Sequence, residues 1–187
     1  MRLTLNELFD EFCDYLHGKI KWKAPENERT ALILSFFSEL NKSEYRPYEE
    51  KREYMRIDYI WRDVSSFPYQ KIVLAVEHEN EFNFKSFLGT EIQRLLDIKA
   101  ENKIAIAYPQ VGNENRLIRE VQERIKKYAL KIHPFESYLL ILGFTTRKRP
   151  KGVEKPKLAV RFKGYIFNNK GDLTTFKDRT ILQATNN

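Results

Sequence analysis

Near the start of the chain, Leu3, Leu5, Leu8, Phe9, Phe12 and Leu16 recur close to helical spacing, and Gly18 follows them as a stop. The chain is therefore expected to open on an amphipathic helix. A second helix is expected after Pro25, through ENERTALILSFFSELN, where Ala31 to Leu34, Phe36, Phe37 and Leu40 make it apolar over a wide arc and hence largely buried. From Glu44 the pattern changes to EYRPYEE, EYMRIDYIW and YQKIVLAVEHE, short stretches rich in Tyr, Ile, Val and Trp. These predict three consecutive strands, most simply an antiparallel meander. In the third, Val73, Ala75, Glu77 and Glu79 share one face and Ile72, Leu74, Val76 and His78 the other, because strand side chains alternate. Its first half is apolar on both faces, which predicts a central position in the sheet.

The segment SFLGTEIQRLLDIKA places Leu88, Ile92, Leu95 and Leu96 on one helical stripe, and KIAIAY then returns to strand character. NENRLIREVQERIKKYALK reads as another amphipathic helix and SYLLILGF as another apolar strand. This order predicts an α/β fold in which a mixed sheet is flanked by helices and the later strands are joined by crossover helices. After Phe144, TTRKRPKGVEKPK has basic residues, two prolines and no apolar periodicity, and is expected to be an exposed loop. LAVRFKGYIF and LTTFKDRTIL predict a C-terminal β-hairpin turning near Asn168 to Gly171. The 187 residues suffice for one substantial core, so a single domain over 1–187 is expected, with its core at about 25–145 and the hairpin extension at about 157–184.

Composition narrows the setting. The single Cys13 makes no internal disulfide, and no Cys/His cluster has zinc spacing, so a reducing, cytoplasmic compartment is expected without structural zinc. Asn6, Glu7, Asp10, Glu11 and Asp14 interrupt the N-terminal apolar residues as no signal peptide or membrane span tolerates, so no membrane partner is expected. A formal net charge of +7 attracts polyanions, and Lys19 to Lys23 and Arg147 to Lys157 are candidate phosphate contacts. Many basic proteins simply carry a solvated, Lys-rich surface.

Glu77 and Glu79 change the picture most, since an i, i+2 pair at the end of an apolar strand points two carboxylates to one side. Such carboxylates need compensation, and a hard divalent cation is the usual source. Asp58, near the end of the preceding strand, approaches Glu77 if the two strands form a hairpin. Acidic ligands of this kind suit Mg²⁺ or Mn²⁺ and phosphodiester hydrolysis. The same spacing also fits solvated strand-end glutamates and surface ion pairs of Asp58 with Arg56 and Arg62. His78 alternates away from the acids, His17 and His133 have no acid or Cys partner at useful spacing, and no nucleophile elbow surrounds Ser65-Ser66. Walker and dinucleotide glycine patterns are absent as well.

With RIDYIW, then IVLAVEHE, then a helix, the region from Pro25 to Tyr108 resembles the PD-(D/E)XK nuclease superfamily, whose core is a helix, three strands, a helix and another strand. The resemblance implies a restriction-endonuclease-like fold and a Mg²⁺- or Mn²⁺-dependent nuclease acting on nucleic acid, with DNA favoured and a homodimer suited to cutting both strands. It implies that Asp58 and Glu77 are metal ligands. Glu79 stands where most members carry lysine, an EXE variant compatible both with a third ligand and with a catalytically inactive module that binds nucleic acid or a protein. Lys85 is a candidate migrated lysine, against the reading of an ordinary solvated side chain. Gln93 resembles a polar residue some members use near the site, although exposed helix polarity accounts for it equally. Glu28 matches the glutamate that some members contribute from the first core helix, and helix N-terminal electrostatics favour Glu there just as well.

Overall fold

The computed structural model describes residues 4–44, 47–65, 71–80, 82–110, 112–128, 136–147 and 158–183. Two helices come first, α1 (Leu5–Leu16) and α2 (Glu26–Lys42). Thr4 caps α1 in a reciprocal box: its hydroxyl accepts from the Glu7 amide at 3.2 Å and its own amide donates to Glu7 at 2.8 Å. Strands β1 (Glu49–Tyr54), β2 (Ile57–Asp63) and β3 (Lys71–Glu79) form the expected antiparallel meander. The helical segment that follows comprises α3 (Phe84–Ser86), a π-helical stretch (Phe87–Ile92) and α4 (Gln93–Asp97), and it leads into β4 (Ala100–Ala107). Helix α5 (Glu114–Tyr128), β5 (Ser137–Arg147), β6 (Leu158–Asn168) and β7 (Leu173–Leu182) complete the order.

All seven strands form one sheet in sequence order. Pairing is parallel from β3 through β4 to β5, where helices cross over, and antiparallel elsewhere. This is a mixed α/β architecture with a core on each sheet face. On one face Phe9, Phe12, Ile33 and Phe37 of α1 and α2 meet Tyr59, Trp61, Leu74, Val76, Ile104 and Ile106. On the other, Leu88, Ile92, Leu95 and Leu96 meet Ala75, Ala105 and Ala107, with Leu117, Val121 and Ile125 of α5 beside them. The alanines leave room for the helices on that face. Strand β3 is buried on both faces, as its apolar pattern predicts. Among the described residues no helix is long and apolar enough to cross a membrane.

Three boundaries differ from the sequence reading. Strand β1 starts at Glu49 rather than Glu44, and the stretch from Glu53 to Trp61 is not one strand. Met55 and Arg56 turn the chain there with φ of 52° and 67°. Such left-handed pairs match the twist of hairpin strands but normally advertise themselves as Asn-Gly or Asp-Gly, a cue this turn lacks. Strand β5 continues past Phe144 because its ladder with β6 runs on through Thr145, Thr146 and Arg147, so these three residues are strand rather than loop; the rest of the expected loop, residues 148–157, lies outside the described ones. The C-terminal hairpin does turn at 168–171, with Gly171 at φ 77°. It extends the main sheet through β5 and holds α1, where Lys177 meets Asp10 and Arg179 reaches Asp14 at 2.6 Å.

Candidate metal centre

The β2–β3 hairpin pairs Tyr59 with Val76 and Ile60 with Ala75, so the next step of the ladder sets Asp58 opposite Glu77. By strand alternation both carboxyls leave the face carrying Ile60 and Ala75, beneath the π-helical stretch. Asp58 is fixed by the His78 backbone amide, which donates to its Oδ2 at 2.8 Å. It is half-buried and forms the solvent side of the pair. Glu77 lies behind it with no exposure, and neither of its carboxyl oxygens has a hydrogen-bond partner. Burial, then the charge of Asp58 and the neighbouring Glu91, push the Glu77 carboxyl up to about 10, against the opposing pull of Arg94.

Glu91 and Arg94 escaped the sequence reading. Glu91 lies in the π-helical stretch and Arg94 one turn on; they pair at 3.0 Å, and the guanidinium stands 3.9 Å from Glu77 Oε1. A signal for Glu91 existed: it falls three residues after Leu88 and four before Leu95, so an acid interrupts an otherwise apolar stripe. π-helical insertions of this type re-aim side chains and recur at functional sites.

The other expected residues fall differently. Glu79 leaves the same face as Glu77 but one pleat further along β3, about 6.6 Å at ordinary strand rise, and its strand partner is Ala107. Among the described residues no three His, Cys, Asp or Glu side chains group closely enough to hold a metal ion, so Asp58 and Glu77 converge as a pair. Glu28 is exposed in the first turn of α2, a helix whose buried side chains belong to the opposite core. Lys85 is exposed, and Gln93 spends its amide on Asp97 at 2.8 Å along its own helix. Trp61 is fully buried and stacks on Tyr48, as a packing residue of the core. His133 and Ser66 lie outside the described residues.

His78 points to the opposite face, as alternation predicts. There its Nε2 meets the Tyr108 hydroxyl at 2.9 Å, and burial pulls its pKa down to about 3, helped by nearby Arg29. Arg29 of α2 in turn donates to Asn80 Oδ1 at 2.7 Å, and Asn80 donates to the Thr30 hydroxyl at 2.5 Å. This tie locks α2 onto the chain immediately after the acidic strand.

Two apposed carboxyls, one buried with neither oxygen hydrogen-bonded and with Arg94 no nearer than 3.9 Å, fit a hard divalent cation better than they fit each other, because a cation between them lets both ionise. Mg²⁺ commonly takes one or two protein carboxylates and fills its remaining positions with water and phosphate oxygens, so a pair is a sufficient donor set. The chain matches no family model and no curated protein.

Proposed function

We propose that this protein is a Mg²⁺- or Mn²⁺-dependent nuclease, most simply a DNA endonuclease, built on a restriction-endonuclease-like fold. The observation that carries the reading is the Glu77 carboxyl, buried without a hydrogen-bond partner and set beside Asp58 across the β2–β3 hairpin. Two further features support it: the order helix, three antiparallel strands, helix, parallel strand, and the net charge of +7, which favours a polyanionic substrate.

In this reading Asp58 and Glu77 would hold the cation, with Glu79 one pleat further toward the end of the strand on the same face. A cation held by these two carboxylates would supply the charge that polarises a phosphoryl group and lowers the pKa of an attacking water. The His78 amide orients Asp58, while Arg94 holds Glu91 at 3.0 Å beside Glu77. A metal-bound Glu77 is a deprotonated Glu77, so cation binding displaces a proton from it.

A second reading is a binding module that keeps this fold without hydrolysis. It is favoured by Glu79 at the position where the resembling family carries lysine, and by the pairwise rather than threefold grouping of acids. Incubation of plasmid and single-stranded DNA with Mg²⁺ or Mn²⁺ separates the two. Metal-dependent cutting by the wild type that disappears in folded Asp58→Ala and Glu77→Ala variants is expected of the nuclease. Salt-sensitive DNA binding without cutting, indifferent to Asp58→Ala, is expected of the module.

A further inference from the structure

The net charge is unevenly neutralised. Arg161 pairs with Asp178, Lys163 with Glu114, Lys71 with Glu101, Arg62 with Glu49, and Lys177 and Arg179 with Asp10 and Asp14. Other cations among the described residues form no ion pair, Arg119 and Arg124 of α5 among them, and neither do Lys19 and Lys21 in the connection from α1 to α2. Both are exposed, and with Arg29 they line a groove of about 220 Å³ against α2, floored by Ile20, Ala24 and Leu32. Three cations face one carboxylate there, that of Glu28.

The position of this groove is fixed by packing. Arg29 is clamped by Asn80 Oδ1 at 2.7 Å and by the Trp22 carbonyl at 3.2 Å, and its guanidinium lies 5.0 Å from the Tyr108 ring and 5.8 Å from that of Trp22. Asn80 directly follows Glu79, so the groove is anchored to the same end of β3 that carries the acids. Lys19 rests its ammonium 3.6 Å from the centre of the Tyr15 ring, an arrangement that positions the charge at the surface without neutralising it.

We infer that the groove between the α1–α2 connection and α2 is a phosphate-backbone subsite for the nucleic-acid substrate, with Lys19 and Lys21 as its phosphate contacts and Arg29 as the anchored cation behind them. This rests on the nuclease reading and extends it, since it routes the substrate over the end of β3 with the carboxylate pair on one sheet face and the groove on the other. The charge excess selects a polyanion, and its continuity with the acidic strand end selects the one the carboxylates would act on.

The test is fluorescence anisotropy of a short labelled DNA duplex titrated with metal-free protein at several salt concentrations between about 50 and 200 mM. The double variant Lys19→Ala with Lys21→Ala should bind more weakly than the wild type, and its plot of log affinity against log salt should be shallower by about 2, one for each lost phosphate contact. Lys19→Arg with Lys21→Arg, which keeps the charges, should retain the wild-type slope. An unchanged slope in the alanine variant overturns the subsite. If that same preparation still cuts DNA with Mg²⁺, the nuclease reading survives and only the groove falls. Failure of the wild type to bind DNA at all overturns the subsite, while failure to cut with normal binding and the expected slope change leaves the subsite standing and removes the nuclease.

Discussion

Replacing Glu77 by Gln should make the metal-free protein more stable, by an amount that grows with pH. In the fold the Glu77 carboxyl titrates near 10, whereas in the unfolded chain it titrates near the ordinary 4.5. Below 4.5 both states hold the proton and the site contributes fully. Above it the unfolded chain releases a proton that the native state keeps, so native stability falls by about 1.4 kcal/mol per pH unit until the native pKa is passed. At pH 7 the span from 4.5 amounts to about 3.4 kcal/mol, and at pH 5 to about 0.7 kcal/mol. Glutamine has the same shape and no ionisation, so the variant is spared this loss, while any cost of burying its amide is the same at both pH values. All other groups, His78 included, are common to the two proteins and cancel. Urea unfolding in excess chelator at pH 5 and pH 7 measures the difference directly, and the variant should gain between 2 and 3 kcal/mol on the wild type between the two, about the difference worked above. An advantage equal at both pH values would mean that Glu77 is ionised in the native state, and the reasoning about the pair would fail.

On the opposite face the sign reverses, because the native pKa of His78 is depressed to about 3 from 6.5. The stability it confers is present above pH 6.5 and is lost as pH falls toward 3. The wild type should therefore lose about 2 kcal/mol relative to His78→Phe between pH 6.5 and 5, and an unchanged difference in urea unfolding would show that the ring is charged in the fold. In the central strand β4, buried Lys103 pairs with Glu136 at 3.0 Å, and Tyr138 donates to the same carboxyl at 2.7 Å. Lys103→Met should cost about 3–5 kcal/mol by leaving that carboxylate buried without its cation, and adding Glu136→Gln should recover most of the loss. Equal thermal stability of the single and double variants would contradict this.

The sheet was legible because its strands carry strong period-two patterns and its helices clear apolar stripes. Alternation along Val73 to Glu79 also sufficed to separate Glu77 from His78, and the hairpin expectation brought Asp58 opposite Glu77. Other features lacked a local signal. The Met55-Arg56 turn has neither Gly nor Asn, so one apparent strand concealed a hairpin. Helix α2 is apolar over so wide an arc that its phase could not be read: Ile33, Phe37 and Asn41 face inward, and Glu28 in its first turn is exposed. Glu91 did carry a local signal as the acid in the Leu88–Leu95 stripe, but the π-helical geometry of Phe87–Ile92 beside Glu77 follows no regular helical period. The neutralisation of charge between β7 and α1 depends on pairings between residues more than 160 positions apart, such as Lys177 with Asp10, so the groove that sets Lys19 and Lys21 beside Arg29 emerges only in three dimensions.

The measurement that bears most directly on the central claim is calorimetric titration of Mn²⁺ into the metal-free protein at pH 7, in two buffers of different ionisation enthalpy. If Asp58 and Glu77 are the cation site, one Mn²⁺ binds per chain, close to one proton is released from Glu77 on binding, and both signals vanish in folded Asp58→Ala. Undiminished binding in Asp58→Ala, or binding that releases no proton, would place the cation elsewhere and contradict the account.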